Sequence, residues 1–322
     1  MKSSTKYKID NETLLRLFAR AGFSDIRNIK PLGAGEYNAV FSAEAGGKAY
    51  AIKIAPSSVV PTLTYENDML ATELEWYSRM AKNTDLRIPE IYYSDFSKEI
   101  IPANYFIMEK ISGTPLFKVK SKTEKQAGII ETVKMAAQIH NIKNDKFGYT
   151  QNGLHGNWYT AIRAMTENLL ADSKRKGKKG GNIIKLLGYI DKYKTVLKKA
   201  ECCMVNFDAW PTNFIAAADG GIVWIDPERS FWGDRLADFN CFMTGLPLKK
   251  KTHMLDAYNS VAYEKIEITR ETEVRHAVAL AYLGLIMDVE KHYRYCLINR
   301  GWWRNVLGAW WMVGNAFKIL GK

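Results

Sequence analysis

The stretch NFDAWPTNFIAAADGGIVWID, Asn206 to Asp226, decides how this chain is read. Asp208 is followed five positions on by Asn213, then by a short apolar run, a Gly220-Gly221 turn and the strand-like IVWI that ends on Asp226. Bringing two carboxylates together in a cleft is repulsive without a cation, so this pattern outlines a metal and proton-transfer site. Taken singly, each residue has a plainer use. Asp208 could cap a helix, and Asp226 before Pro227 could start a turn.

Outward from that stretch, composition bounds the class. A chain of 322 residues is longer than most single-core domains, so one large two-lobed unit is expected. With 47% hydrophobic and 25% charged residues it has the make-up of an ordinary soluble globular protein. No apolar run reaches the length of a membrane span. The opening MKSSTKYKIDNE has no apolar segment behind its lysines, so the cytoplasm is the expected compartment and no membrane partner is expected. Cys202, Cys203, Cys241 and Cys296 have neither zinc-type spacing nor disulfide-scaffold density, and are expected to be buried free thiols. The net charge of +12 admits nucleic acid, a membrane surface or an anionic ligand. Much of the excess lies in KRKGKK, Lys174 to Lys179, and in Lys249 to Lys251, with no nucleic-acid motif beside either; a solvated surface is expected, and no nucleic-acid partner.

Upstream, Asp10 can cap a helix through Ala21 that Gly22 ends. From Ile29, IKPLGAGEYNAVFSAEAGGKAYAIKIAP predicts strand, glycine turn, strand, Gly46-Gly47 hairpin, strand. Gly33 and Gly35 would let the backbone close over a phosphate, the alternative being a plain hairpin turn. Lys53, in AIKIA at the centre of the third strand, is costly there unless it meets an anion. ATP phosphates and a helix glutamate would serve; an edge-strand lysine facing water is the alternative. A helix over about 65–82 carries Glu73, the better candidate to pair with Lys53, and Glu66, the second, because helix phase is not fixed by sequence. Two further strands, in IPEIYYSDF and NYFIMEKISGTPL, lead to Gly113 and Pro115, a hinge at which the backbone of Glu109 and Ile111 would meet an adenine.

Beyond the hinge the pattern is helical. Thr123 to Ile142 is amphipathic, with His140 packed or capping near its end. Trp158 to Lys174 and Asn182 to Glu201 pair across the basic turn, and Cys202 to Phe207 is a short strand that delivers the Asp208 loop. The C-terminal GWWRNVLGAWWMVGNAF carries Trp302, Trp303, Trp310 and Trp311, expected on one helix face as ordinary core; the alternative is an aromatic wall of an acceptor pocket for a cationic amine.

With Lys53, Glu73, the Asp208 and Asn213 loop and Asp226 in this order, the chain resembles the aminoglycoside phosphotransferase and choline kinase superfamily from about Ile29 to its end. The most specific portions are NFDAWPTNF and IDPERSFWGDRLADF; FGY, Phe147 to Tyr149, and the Trp158 helix also look like a branch of that family. The resemblance implies an α+β, protein-kinase-like bilobal fold, with an antiparallel sheet and one key helix over 1–110 and a mainly helical lobe over 111–322. It implies transfer of the γ-phosphate of ATP, or of GTP, to a hydroxyl of a small molecule with magnesium as cofactor. Asp208 would accept or orient the acceptor hydroxyl's proton, Asn213 and Asp226 would hold magnesium, Lys53 would grip the α and β phosphates with Glu73 steering it, and Asp238 would brace the loop. One departure is Asn206, where the family usually has histidine two residues before the catalytic Asp; an amide offers both a donor and an acceptor in its place.

An aminoglycoside or sugar is the first acceptor expected, with resistance to an antibiotic as the corollary, and a choline-like amine or other metabolite the next. Glu228, Asp234, Glu264, Glu267, Glu271 and Asp288 could supply an acidic pocket for a polycation in a chain that is basic overall. From another class, the chain reads as a nucleotide-binding pseudokinase or regulatory module, with Asn206 as the mark of decayed catalysis.

Overall fold

The strand-like stretches after Ile29 pair as a sheet whose central strand is buried on both faces. In a computed structural model that describes residues 6–33 and 37–322, strands β1 (Arg27–Pro31), β2 (Ala39–Ala45), β3 (Lys48–Ile54), β4 (Ile91–Asp95) and β5 (Tyr105–Glu109) form one antiparallel sheet in the order β1-β2-β3-β5-β4. Gly46 and Gly47 turn between β2 and β3 with φ of 53° and 76°, a left-handed pair that fixes the register from Ala45↔Lys48 to Ala39↔Ile54. Helix α1 (Asn11–Arg20) begins where Asp10 accepts a hydrogen bond from the Thr13 N–H at 2.7 Å. Its Leu14, Leu17 and Phe18 are fully buried in one cluster with Tyr50, Ile52 and Ile54 of β3, each contributing about 1.5–3 kcal/mol of burial. Lys53 therefore lies on the opposite face of β3, between Val40 and Phe106 of the neighbouring strands, and is only 3% exposed.

These elements belong to one compact unit, Met1–Thr62, Pro89–Ser112 and Tyr293–Tyr295; Leu63–Ile88, Gly113–His292 and Cys296–Lys322 make a second. The helix expected over 65–82 is a 3₁₀ turn, Thr64–Glu66, followed by α2 (Met69–Asn83), and it groups with the second unit although sequence order sets it among the first 110 residues. The reason is local packing: Thr72 bonds Gln151 at 3.2 Å, and the Trp76 ring lies 5.1 Å from that of Trp232.

In the second unit β6 (Gly113–Pro115) precedes α3 (Lys122–Ile139), α4 (Trp158–Arg175), α5 (Gly181–Lys192) and α6 (Lys194–Leu197). Ser121 caps α3 and Asn157 caps α4, their side chains accepting from the N–H groups of Glu124 and Thr160. Then come β7 (Cys203–Val205), β8 (Phe214–Ala217), β9 (Ile222–Trp224) and β10 (Phe231–Gly233), followed by α7 (Phe239–Phe242), α8 (Thr252–Asn259), α9 (Arg270–Arg294) and α10 (Arg300–Leu320). Strands pair as β6-β8-β9 and as β7-β10, and the ring of Phe231 on β10 meets those of Phe207, Tyr149 and Trp158 at 4.9, 5.2 and 5.6 Å. Among the described residues no helix is long and apolar enough to cross a membrane.

Two expectations about burial are corrected. Cys202, Cys203 and Cys241 are buried free thiols, but Cys296 is exposed, in the turn before α10. The C-terminal tryptophans are not core: Trp303, Trp310 and Trp311 are 56%, 74% and 44% exposed. The inward positions of α10 are filled instead by Asn305, Ala309, Met312, Val313 and Ala316, with Met312 and Val313 close against Gly284 of α9. Small residues allow that close approach, and the large rings are left on the far side.

On α9, His276 is fully buried and neither ring nitrogen has a hydrogen-bond partner among the described residues. Burial alone pushes its imidazole down to about 3. The unfolded chain therefore takes up a proton as pH falls below its ordinary value while the folded chain does not, and stability is lost between about pH 6.5 and 3, by at most about 1.4 kcal/mol per pH unit. In a His276→Leu variant that acid slope is expected to flatten, with stability at neutral pH unchanged or higher by about 1–3 kcal/mol. Denaturant melts as a function of pH read both; an unchanged slope would remove His276 from the account.

Candidate active site

The Asp208 loop is a connection between two small sheets, leaving the end of β7 and returning as β8. Its backbone is held from below by one buried carboxylate. Asp238, fully buried just before α7, accepts from the N–H groups of Asn206 at 3.1 Å and Phe207 at 2.6 Å. The same carboxylate lies 3.0 Å from His140 Nε2, and His140 Nδ1 lies 2.9 Å from the Tyr258 hydroxyl. His140 thus caps α3 as a packed residue and acts on the loop only through Asp238. Asn206 uses half of its amide: its Oδ1 accepts from the Asp208 N–H at 3.1 Å, while its Nδ2 has no hydrogen-bond partner among the described residues. Phe207, between them, sits at φ 61°.

Asn213 closes the loop. Its Nδ2 donates to the Asp208 carbonyl at 2.9 Å and to Asp208 Oδ2 at 2.7 Å, and its carbonyl accepts from the Ile225 N–H at 2.9 Å. Both amide hydrogens being used on Asp208, the Asn213 side-chain oxygen is the atom it can offer a cation. The bond to Ile225 ties the loop to the end of β9, where Asp226 stands at φ 65° with its N–H donated to the Tyr77 hydroxyl at 2.9 Å. Tyr77 and Glu73 are one turn apart on α2. Carboxylate oxygens of Glu73, Asp226 and Glu228 lie within 4.8 Å of one another. Three hard oxygen donors at that spacing could hold a divalent cation.

Asp208 is partly buried, and burial raises its carboxyl above the ordinary value, with the charge of Asp226 adding to the effect. The Arg229 guanidinium, whose Nε lies 3.8 Å from Asp208 Oδ1, and the Asn213 hydrogen bond oppose the rise. Arg229 is held from its other side by Glu290 at 2.8 Å. Neither Arg229, Glu290 nor Tyr77 is singled out by the sequence, and Glu228 was expected in an acceptor pocket. The Asp-Pro-Glu spelling after β9 was the available signal for Glu228, two carboxylates being set two residues apart at a strand end.

Asp208 and Asn213 thus share one hydrogen-bonded loop, and Glu73 stands with Asp226 and Glu228. Glu66 spends its carboxylate on the Leu63 N–H at 2.8 Å. Lys53, Gly33 (φ 71°), Glu109 and Ile111 belong to the first unit, where the Glu109 N–H is donated to the Glu90 carbonyl at 2.7 Å and Ile111 is buried. Gly35 lies outside the described residues. The acids expected to line a pocket are mostly committed to basic partners: Asp234 to Arg275 at 3.4 Å, Glu264 to Arg235 at 3.1 Å and Lys143 at 3.4 Å, Glu271 to Lys199 at 2.5 Å, and Asp288 to Lys291.

Residues 28–270 match the family model described as the phosphotransferase enzyme family. The chain belongs to that family. It is a small-molecule phosphotransferase, α+β and protein-kinase-like in fold. No curated protein matches its sequence. In fold it is similar to a candidate fructosamine-3-kinase from Haemophilus somnus 129PT, with a TM-score of 0.67 at 18% identity over 96% of this chain and 97% of the other. A candidate aminoglycoside phosphotransferase from Ralstonia eutropha JMP134 gives 0.64 at 15% identity over 97% and 99%. The ternary complex of APH(2'')-IIa with streptomycin and ATP gives 0.58 at 17% identity over 95% and 99%. At such identities these likenesses concern the fold, and the phosphotransferase is characterised by its own residues.

Proposed function

We propose that this phosphotransferase is an ATP- and magnesium-dependent kinase that transfers the γ-phosphate to a hydroxyl of a small molecule. The observation that carries the reading is the convergence of Glu73, Asp226 and Glu228 beside the Asp208 and Asn213 loop. Asp226, Glu228 and the Asn213 oxygen would hold the cation, whose chemistry is to neutralise charge on the phosphates. Asp208, its carboxyl raised by burial against the opposing charge of Arg229, would orient the acceptor hydroxyl and take its proton. Lys53 would grip the α and β phosphates with Glu73 steering it, Gly33 and Gly35 would cover them, and the backbone of Glu109 and Ile111 would meet the base of ATP or GTP. Consumption of a cellular nucleotide supports a cytoplasmic setting.

The acceptor is read from charge. A guanidinium beside Asp208 and pocket acids already paired with lysines and arginines favour a sugar or an anionic hydroxyl compound over a polycationic aminoglycoside or a choline-like amine. Nucleotide consumption across sugars, hydroxy acids, aminoglycosides and amino alcohols tests this. Turnover with neutral or anionic acceptors is expected; tight nucleotide binding without transfer to any of them would leave a binding module instead. In an Asp226→Ala variant, magnesium-dependent nucleotide affinity is expected to fall at least about tenfold, read by titration with and without the metal.

A further inference from the structure

The outward face of α10 carries large apolar and basic side chains and no acid. At about 100° per residue, positions 300, 303, 304, 307, 310, 311 and 318 fall on the half of the helix opposite the inward line of 301, 305, 309, 312, 316 and 319. Trp303, Leu307 and Trp310 are 56%, 64% and 74% exposed on that face, and Leu297 and Ile298 extend the apolar stripe into the preceding turn. Arg300, Arg304 and Lys318, all exposed, share the face, and α10 contains neither Asp nor Glu. Further cations stand along its edges. The Trp311 indole donates to the Thr244 carbonyl at 3.3 Å, and Lys251 bonds the Thr244 hydroxyl at 2.9 Å, so the lysine run 249–251 flanks one side. At the other end the Trp302 ring lies 4.8 Å from His292, and the Lys291 Nζ, 5.6 Å from the same indole, is buried and paired with Asp288, so it adds no free charge to the face.

We propose that this face of α10 docks on an anionic lipid bilayer, with Trp303, Leu307 and Trp310 seated at the level of the headgroups and Arg300, Arg304 and Lys318 against their phosphates. Tryptophan, an apolar body with an N–H tip, suits that boundary, and a helix with an apolar stripe bordered by arginine and lysine lies in the plane of the interface. α10 is not apolar enough to cross a membrane, so the attachment is peripheral. A second copy of the chain is the poorer occupant, because the basic borders of two such faces would confront each other in a protein of net charge +12. The proposal stands apart from phosphotransfer, since it uses none of the residues assigned to the Asp208 site.

The test is co-sedimentation of the full chain with phosphatidylcholine vesicles, with and without phosphatidylglycerol. Binding is expected only with phosphatidylglycerol, weakening as salt rises. The Trp303→Ser/Trp310→Ser double variant is expected to lose binding at least about tenfold, and Arg304→Gln and Lys318→Gln about fivefold each. Circular dichroism should show the variants folded; if they are not, quenching of native tryptophan fluorescence by brominated phosphatidylglycerol gives the same answer without mutation. Absence of binding or quenching, equal binding to both vesicles, or full retention in the tryptophan variant overturns the proposal. A concentration-dependent dimer that the tryptophan variant dissolves, without vesicle binding, assigns the face to a second copy.

Discussion

Asp208→Ala is expected to slow phosphoryl transfer about 10²–10⁴-fold while nucleotide affinity changes little. The carboxylate is not one of the three that converge at Glu73, Asp226 and Glu228, so its removal is expected to act chiefly on the acceptor. The acid limb of the pH profile adds a second reading of the same residue. Because burial raises the Asp208 carboxyl, its protonated, inactive form persists to higher pH than for an exposed aspartate, and activity should fall with decreasing pH earlier than an ordinary carboxyl would dictate. Near-normal turnover in the alanine variant would end the assignment of Asp208, whatever happened to nucleotide binding.

Asp238→Ala is expected to cost about 3–5 kcal/mol of stability, because it orphans two buried backbone N–H groups and leaves His140 without its carboxylate. Loss of that size is a large part of a typical domain's margin, so the variant should unfold at markedly lower denaturant concentration. The measurement separates bracing from chemistry: a variant that kept wild-type stability but lost turnover would make Asp238 a participant rather than a support.

Much of this was legible in the sequence because it is written locally. Asp10 sits at the start of an apolar helix and caps it; the two glycines at 46 and 47 could only be a left-handed turn; and the spacing of Asp208, Asn213 and Asp226 survives folding because one loop and one hairpin join them. What escaped depends on long-range packing. Tyr77 meets Asp226 across 149 positions and Arg229 meets Glu290 across 61, and no period or motif links either pair. The helix phase that distinguishes Glu73 from Glu66 is likewise not written in the sequence; Glu66 makes a local hydrogen bond and Glu73 joins Asp226 and Glu228. The exposed Trp303, Trp310 and Trp311 show that hydrophobicity alone does not specify burial. The inward face of α10 was already filled by smaller residues that let two helices approach closely.

The left-handed backbone at Phe207 and Asp226 has a cost outside the site. Holding a non-glycine residue at positive φ takes of order 1 kcal/mol from the chain's stability, so a glycine at either position should relieve strain while loosening the loop or strand end it now fixes.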